Sequence, residues 1–502
     1  MNDVQNDAAL RDAQPSAAVR DINGAPLVRL DRRFLGFSIV ATLLLCWPLL
    51  VFGHPSYIQD SVAYHKGGRA AVDYVLKSLN RPEVSTTANR STQASPSTPA
   101  ATEITGNEVK GARSVTYSIA AYLLSGPGAT MLLLALAQAA AAATVIVAIL
   151  GAFGGLPTRR TIASLIVLAG ATTVAPVCFL VIPDIFAGLI IACTILLTVA
   201  QSRLSLGVRL LCAAIATFAV TAHNSLIPIA GGMAGLGLGW VAIRHFTNDP
   251  LPRWTWAWVV GPLIVGAFTL LTINRVAFGE TSLAAKRYPF ALSRSINNGP
   301  GRWYLEKHCH ELAYTICTVY PHGLPKGGAL EFLWGPDGVT KRATPAQMDR
   351  IRAEEPAIVL AAGREYADFE MRMLAYKFTQ QLIRFRPYSF DARMALDSGG
   401  TAQLAPEPHD TDRILILIYI VAAISTLLSC VWLAWAFVKR RLLRPIIVLL
   451  FLGILGNAAT CVLFAAMAER YQARVIWLIP LFALALSGAV GGSGRDTRPR
   501  VA

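Results

Sequence analysis

The stretch GHPSYIQDSVAYHKGG, residues Gly53 to Gly68, begins where the first long apolar run, Phe34 to Phe52, ends. The acidic residue at its centre is Asp60, and Tyr64 is among the polar and aromatic residues around it. An acidic side chain at the end of a membrane helix can be held in an interface without being buried in hydrocarbon. Asp60 is therefore either a functional group at a bilayer surface or a solvated loop aspartate.

The apolar run before this stretch is one of many, and composition indicates a membrane protein. Of the 502 residues, 54% are hydrophobic and 15% are charged, and the mean hydropathy is +0.48. A soluble core could not bury so much apolar surface. The run Phe34 to Phe52 has no small-residue cleavage site, so we interpret it as a retained anchor rather than a signal peptide.

Further apolar runs each approach the roughly 20 residues that are needed to cross a bilayer. They are Ala129 to Phe153, Thr161 to Val181, Ile185 to Ala200, Leu206 to Val220, Leu226 to Ile243, Trp254 to Ile273, Ile414 to Val438, Pro445 to Ala468 and Val475 to Val490. Together with the first run, they predict an all-α polytopic membrane protein with about ten transmembrane helices. Some of these runs are short, so one span fewer or one more are alternatives.

The Lys and Arg residues that give the net charge of +15 lie in short links between apolar runs. In a soluble protein this charge would suggest a nucleic-acid partner, which we do not expect here. Between membrane spans, the basic residues indicate topology, and anionic lipid headgroups are the expected partner. By the positive-inside rule the basic links face the cytosol, together with a tail at residues 1–33 and another at 491–502.

The segments of unusual polar content then fall on the opposite, outer side of the membrane. An outer loop, residues 53–127, contains two predicted interfacial helices, Arg69 to Asn80 and Gly111 to Gly126, separated by a flexible connector rich in Ser, Thr and Pro. This loop belongs to an N-terminal transmembrane module, residues 34–273. Residues 274–413 form a small, mostly helical domain, which we call the outer domain, and 414–490 form the C-terminal transmembrane helices.

The cysteines of the outer domain differ from the other six. Those six lie in or beside apolar spans, where cysteine is usually a small buried hydrophobe. Cys309 and Cys317 lie outside the spans, close together in sequence, and in an oxidising compartment they are expected to form a disulfide. The alternative is a metal site at His308 to His310, but neighbouring side chains rarely converge on one ion.

Two outer turns carry further candidates. Asp184 follows Pro183 in a tight turn; it is either a functional carboxylate or the N-cap of the span that begins at Ile185. His223 and Asn224 could form a hydrogen-bonding pair in a cavity, although a structural histidine is the more common case.

Arg470 and Arg474 lie four residues apart around Tyr471, so on a continuous helix they would share one face. Two guanidinium groups at the outer surface suit a phosphate or pyrophosphate, which they can bind with paired hydrogen bonds. The alternative role is to anchor the protein to lipid headgroups.

The arrangement of these residues resembles the glycosyltransferase C superfamily, integral-membrane enzymes that use polyprenyl-phosphate sugars. The likeness rests on an acid in the first outer loop, a second acid in the next outer turn, a late outer domain and an RY-containing turn before the last span. Within the superfamily, the chain resembles uncharacterised bacterial membrane proteins through ARSVTY, PDIFAGL and RYQARVIWL.

The resemblance implies that Asp60 is the first-loop acid, which serves as general base or orients the acceptor or a metal. Asp184 would be the second acid, and Arg470 would contact the donor phosphate. The first outer turn has one acid rather than a pair, so a divalent cation is an open alternative. The implied partners are a polyprenyl-phosphate sugar and an envelope glycan, lipid or protein, at the periplasmic face of a bacterial inner membrane.

A non-enzymatic class competes with this interpretation: a transporter or flippase, or an envelope-assembly scaffold. A transporter should show repeated halves and polar residues at the midplane, whereas the ionisable residues here gather at one membrane face. The sequence contains no Walker, nucleotide-binding or zinc motif, which argues against ATP-driven transport by this chain alone.

Overall fold

The computed structural model describes residues 27–79, 110–248, 251–398, 400–407, 411–465 and 467–492. Most of the two predicted tails and nearly all of the flexible connector lie outside these residues. Seven helical segments of the described chain are long and apolar enough to cross a membrane. They are Arg32–Phe52, Leu132–Gly154, Leu226–Phe246, Thr255–Phe278, Asp412–Lys439, Arg441–Phe464 and Arg470–Gly488. The protein therefore has the architecture of an all-α membrane protein.

The N-terminal half of the described chain is mostly helical. Its helices are α1 (Arg32–Leu45), α2 (Trp47–Phe52), α3 (Gln59–Leu79), α4 (Val115–Leu123), α5 (Leu132–Gly154), α6 (Thr158–Ala171), α7 (Val174–Phe179), α8 (Phe186–Val199), α9 (Leu206–Ala222), α10 (Leu226–Phe246) and α11 (Thr255–Phe278). The predicted span Thr161 to Val181 is divided between α6 and α7. Helices α8 and α9 are apolar but have only 14 and 17 residues.

The C-terminal half contains the outer domain and the last membrane helices. Its elements are α12 (Phe290–Asn298), α13 (Pro300–His308), α14 (Thr315–Val319), α15 (Ala329–Trp334), α16 (Val339–Arg342), α17 (Pro345–Glu365), α18 (Ala367–Ile383), β1 (Ala392–Leu396), β2 (Ala402–Pro406), α19 (Asp412–Lys439), α20 (Arg444–Phe464), α21 (Arg470–Ile476) and α22 (Leu478–Gly492). The two strands form an antiparallel hairpin in which Ala392 pairs with Pro406 and Leu396 with Ala402.

Asp60 lies in the first turn of α3, not in a loop before an interfacial helix. Gly53 ends α2 in the left-handed region, at φ 77°, and α3 then begins at Gln59, ten residues before the predicted start at Arg69. An acid in the first helical turn is favoured by the helix dipole. Helix α3 packs closely on α4 at Gly68. A Cβ atom at this position would lie only 1.9 Å from the carbonyl oxygen of Ser118, so the close approach requires glycine.

Helix α8 lies at the centre of the bundle and is almost entirely buried. Its Gly188 lets the last membrane segment approach: a Cβ atom there would lie 2.8 Å from the carbonyl oxygen of Arg474 and 2.8 Å from the ring of Trp477. This close approach brings the start of the last segment beside the turn that carries Asp184.

The basic links gather at the end of the bundle opposite to Asp60. Arg33 donates to the carbonyl oxygen of Leu156, and Arg160 donates to that of Leu484 at 3.1 Å. Arg203 donates to the carbonyl oxygen of Ala152 at 2.9 Å. We call this the basic end, and the end that carries Asp60, Asp184 and Arg470 the site end.

The outer domain has a hydrophobic core of its own, built from buried residues of α12 to α17 such as Leu292, Phe332 and Met348. Cys309 and Cys317 are joined in a disulfide, the pairing expected from the sequence. The domain also contacts the turn before the last membrane segment. The side chain of Gln381 exchanges two hydrogen bonds with the backbone of Ala468, at 2.9 and 3.1 Å. The outer domain thereby helps to position the turn before Arg470.

Candidate active site

Asp184 belongs to a buried ion cluster and lies in the 3-10 turn Pro183–Ile185. Its Oδ1 accepts a hydrogen bond from Arg474 Nη1 at 3.1 Å, and its Oδ2 lies 3.6 Å from Arg470 Nη1. The carboxylate makes no capping bond to the turn or to α8, so the N-cap alternative is wrong. Since the residue is only 5% exposed, its charge requires these partners.

Arg474 is a buried partner rather than an accessible cation. Its Nε donates to Asn457 Oδ1 at 3.0 Å, and its Nη2 contacts Cys461 Sγ at 3.3 Å. With Asp184 on Nη1, all three nitrogens of the guanidinium group have partners, and the side chain is 1% exposed. Arg474 therefore holds Asp184 in place, and in this arrangement it does not offer the free phosphate-binding face that the sequence suggested.

Arg470 connects the two acids. Besides its contact with Asp184, its Nη2 lies 3.9 Å from Asp60 Oδ2. Both distances exceed a normal hydrogen bond, and Nη1 is buried without a hydrogen-bond partner. The side chain is 17% exposed, so Arg470 is more accessible than Arg474. It is the one of the two arginines that is available to a ligand.

A cavity of about 300 Å³ opens beside Arg470. Its lining comes from the end of the outer domain and from the turn before α21, namely Arg386, Pro387, Tyr388, Ser389, Ala468, Glu469 and Arg470. Space for a ligand thus adjoins the guanidinium group that bridges the two acids.

Tyr471 supports both arginines. Its ring centroid lies 4.9 Å from the guanidinium carbon of Arg470 and 5.1 Å from that of Arg474, within the range of cation–π attraction. The α-helical path from Arg470 to Ile476 replaces the turn that we expected here and places the two arginines on one side of the helix.

Asp60 has a partner that sequence reasoning did not select. Its Oδ1 forms an ion pair with Arg113 Nη2. The ARSVTY motif was the available signal, since it places an arginine just before Ser114, the N-cap of α4. Nothing in the sequence near Arg113 indicates an acid as its partner. Asp60 is therefore held at one oxygen by Arg113, while its other oxygen faces Arg470.

Tyr64 lies next to the cluster and is buried. Its ring meets that of Tyr117 edge to face, with centroids 4.7 Å apart, and Tyr117 Oη donates to Gln138 Oε1 at 2.8 Å. Burial raises the pKa of both phenols, so both stay protonated at neutral pH. Tyr64 forms part of the packed wall beneath Asp60 instead of projecting from the surface.

His223 bonds to Ser225 rather than to Asn224, which contradicts the hydrogen-bonding pair and agrees with the alternative of a structural histidine. The backbone N–H of Ser225 donates to His223 Nδ1 at 3.0 Å, and Ser225 Oγ lies 2.8 Å from the same nitrogen. Burial, together with the charges of Arg113 and Arg474, lowers the pKa of His223 to about 3. The ring is therefore neutral in the folded protein, with its proton on Nε2 because Nδ1 accepts.

The described part of the chain contains no cluster of side chains that is arranged to bind a divalent cation. No group of three or more His, Cys, Asp or Glu side chains is placed there to hold a metal ion. Both Asp60 and Asp184 are engaged by guanidinium groups instead.

Comparison of the chain with protein-family models, with curated proteins and with solved structures finds no match. Three guanidinium groups (Arg113, Arg470 and Arg474) surround two carboxylates (Asp60 and Asp184), so the cluster has an excess of one positive charge. Such a cluster suits an anionic ligand.

Proposed function

We propose that the protein is a membrane glycosyltransferase. It transfers a sugar from a polyprenyl-phosphate donor to an envelope glycan, lipid or protein, with inversion at the anomeric carbon. The observation that carries this proposal is the position of Arg470, which bridges Asp60 and Asp184 at the edge of a cavity. The reaction needs a cation to stabilise the leaving phosphate and a carboxylate to accept the proton of the acceptor hydroxyl, and this site contains both.

The leaving group of this reaction is a lipid phosphate, which gains negative charge as its bond to the sugar breaks. Arg470 lines the cavity, and both of its contacts with the acids, at 3.6 and 3.9 Å, are longer than a normal hydrogen bond. A guanidinium group placed where charge develops lowers the barrier of the step. The surplus positive charge of the cluster also favours binding of the anionic donor before reaction.

The incoming acceptor hydroxyl must lose its proton as it bonds to the anomeric carbon. Asp60 Oδ1 is engaged by Arg113, whereas Oδ2 has only the long contact to Arg470. In the proposed mechanism Oδ2 accepts the hydroxyl proton, and the polyprenyl phosphate departs with the bonding electron pair toward Arg470. Asp184 keeps Arg470 in place between the two reactants.

We further propose that the chain crosses the bacterial inner membrane about ten times, with the site end in the periplasm and both termini in the cytosol. The positive-inside rule supports this orientation, because Arg33, Arg160 and Arg203 gather at the opposite end. The paired helices α6 and α7 and the shorter helices α8 and α9 also run between the two ends. They support three crossings beyond the seven long segments.

The test is a transfer assay with the purified protein in liposomes. Polyprenyl-phosphate sugars carrying a radiolabel are supplied with an envelope extract, and label in the extract is measured. We expect transfer of the label, and we expect cells that lack the gene to accumulate the lipid-linked sugar.

Failure in both readouts would overturn the proposed enzyme. A wild-type protein that transfers no label, from a gene whose loss leaves the lipid-linked sugars and envelope glycans unchanged, would favour the scaffold. Movement of intact lipid-linked sugar across the liposome membrane without transfer would instead indicate a flippase.

A further inference from the structure

The residues just before Arg113 are fastened to the outer domain. The N–H of Ala112 donates to the carbonyl oxygen of Lys286 at 2.8 Å, and Arg352 Nη2 donates to that of Lys110 at 2.5 Å. Tyr288 packs so closely on Gly111 that a Cβ atom there would lie 2.1 Å from its ring. Any side chain larger than that of glycine would push this segment away from the outer domain.

The residue just after Arg113 is fastened to the helix bundle instead. Ser114 Oγ donates to the carbonyl oxygen of Thr221 at 2.5 Å and accepts the N–H of Tyr117 at 3.3 Å as the N-cap of α4. Arg113 is thus the residue at which the chain passes from one body to the other.

The side chain of Arg113 lies among three aromatic rings of the outer domain. Its guanidinium carbon is 5.4 Å from the ring centroid of Tyr288 and 5.9 Å from those of Phe290 and Trp334. Each ring is within the roughly 6 Å at which a cation is attracted to an aromatic face. The rings support one another, since Tyr288 and Trp334 meet edge to face at 4.6 Å. We call these three residues the aromatic box.

The aromatic box leaves the guanidinium group directed to Asp60, whose Oδ1 pairs with Arg113 Nη2. An isolated ion pair of two partly exposed side chains would be free to open, because such pairs contribute little by themselves. Here the side chains are only 15% and 25% exposed, and the rings hold one partner in place. Because this pair engages Asp60 Oδ1, the oxygen that remains available to a substrate is Oδ2.

We propose that Arg113 is a positioning residue through which the outer domain orients Asp60 for the reaction. The inference rests on the proposed function, since it assigns Arg113 a role in that chemistry. Arg113 holds Oδ1, so that Oδ2 faces Arg470 and receives the acceptor hydroxyl. The aromatic box acts through Arg113 and has no direct contact with the reacting atoms in this scheme.

The experiment compares Arg113→Ala, Arg113→Lys, Trp334→Leu and the double variant Arg113→Ala with Trp334→Leu. Trp303→Leu is the matched control, because Trp303 is another tryptophan of the outer domain and is exposed to the same 37%. It meets Tyr366 and Phe369 edge to face and is not one of the three rings around Arg113. Transfer is measured as kcat and as KM for donor and acceptor. Thermal unfolding in detergent is measured for each variant.

We expect Arg113→Ala to lower kcat about 100-fold, the lower end of what a correctly oriented general base contributes, with little change in either KM. Added guanidinium ion should restore part of the rate of Arg113→Ala. The Arg113→Lys variant should have a lower rate than Arg113→Ala with added guanidinium ion. Trp334→Leu should lower kcat in the wild-type background but not in Arg113→Ala, because the box acts through the arginine. Trp303→Leu should retain wild-type kcat.

Additive losses of kcat in the double variant, or no rescue by guanidinium ion, would overturn the positioning role. The fall in Tm separates this inference from the proposed function. If the wild-type protein transfers no sugar, the enzyme fails, but a fall in Tm of the double variant smaller than the sum of the two single changes still supports the link from the box to Arg113. Additive changes in Tm would refute that link.

Discussion

Arg474 Nη1 donates to Asp184 Oδ1 at 3.1 Å, although the two residues are 290 positions apart in sequence. This bond joins the start of the last membrane segment to a turn in the N-terminal half of the bundle. Because Arg470 lies one helical turn earlier and contacts the same carboxylate, the geometry of the proposed site depends on this pair.

Removal of either partner of this pair should destabilise the protein. We expect Arg474→Met and Asp184→Leu each to lower the free energy of unfolding by about 3–5 kcal/mol. The first leaves the buried Asp184 with only the longer contact to Arg470, and the second leaves the buried Arg474 without a carboxylate partner. The double variant should be less destabilised than the sum of the two, which thermal unfolding in detergent can measure. Single variants with wild-type Tm would contradict the burial of this pair.

Replacement of Asp60 by Asn should abolish transfer while leaving membrane insertion and Tm close to those of the wild type. The amide keeps the shape of the side chain but cannot accept the proton, so we expect a loss of at least about 100-fold in kcat. Asp73→Asn is the matched control, since Asp73 lies on the same helix, is exposed and pairs with Arg69. Equal activity of the two variants would remove Asp60 from the mechanism.

Arg470→Ala should weaken use of the donor more than use of the acceptor. A hydrogen bond between charged groups contributes about 1.5–3 kcal/mol, so KM for the donor should rise roughly 10- to 100-fold. The value of kcat should also fall, because the leaving phosphate loses its stabilising cation. The control is Arg364→Ala, which removes an exposed arginine of α17 in the outer domain. An equal rise in both KM values would indicate that Arg470 shapes the site without contacting the donor.

His223 should make the protein sensitive to acid. The unfolded chain binds a proton at this residue near pH 6.5, whereas the folded chain excludes it until the pH falls to about 3. The folded state thus binds fewer protons in this window, and the free energy of unfolding decreases as pH falls from 6.5 toward 3, by at most about 1.4 kcal/mol per unit. Above pH 6.5 the contribution is fully present.

His223→Gln should flatten the decline of Tm between pH 6.5 and pH 4, whereas His322→Gln, at an exposed histidine, should leave it as in the wild type. Parallel curves for the wild type and His223→Gln would show that His223 takes up its proton without unfolding the chain.

Loss of the disulfide should destabilise the outer domain alone. The double variant Cys309→Ser, Cys317→Ser lacks the cross-link that closes this loop. For a loop of this length, we expect the free energy of unfolding to fall by about 2–3 kcal/mol. Limited proteolysis should then cleave the outer domain faster and leave the membrane helices intact. Mass mapping under non-reducing conditions should recover a linked peptide from the wild type; two free thiols there would contradict the pairing.

The fold class and several members of the site follow from the sequence, because membrane spans leave long apolar runs and because polar residues at the ends of spans stand out against them. Asp60, Asp184 and Arg470 were found in this way, and they lie together. The separate roles of Arg470 and Arg474 do not follow from sequence, since both lie on one face of α21. Only the partners from α20, Asn457 and Cys461, show that Arg474 is enclosed.

Helix α3 shows why the local structure around Asp60 was harder to predict. Near its start α3 buries Val62 and Tyr64, but the other buried positions are Ser61, His65 and Gly68, small or polar residues that weaken the apolar periodicity. Arg113 was missed for a related reason: its partners Tyr288 and Trp334 come from a distant part of the chain, and one sequence carries no sign of that contact.

The pair formed by Asp184 and Arg474 also constrains how the protein is made. Synthesis proceeds from the N-terminus, so the carboxylate is delivered to the membrane 290 residues ahead of its counterion. A chain that stops before its final helix retains an acid in the bundle with nothing to neutralise it. Maturation of the site therefore waits for the last segment to insert, and prematurely terminated chains present quality-control proteases with an unfinished bundle.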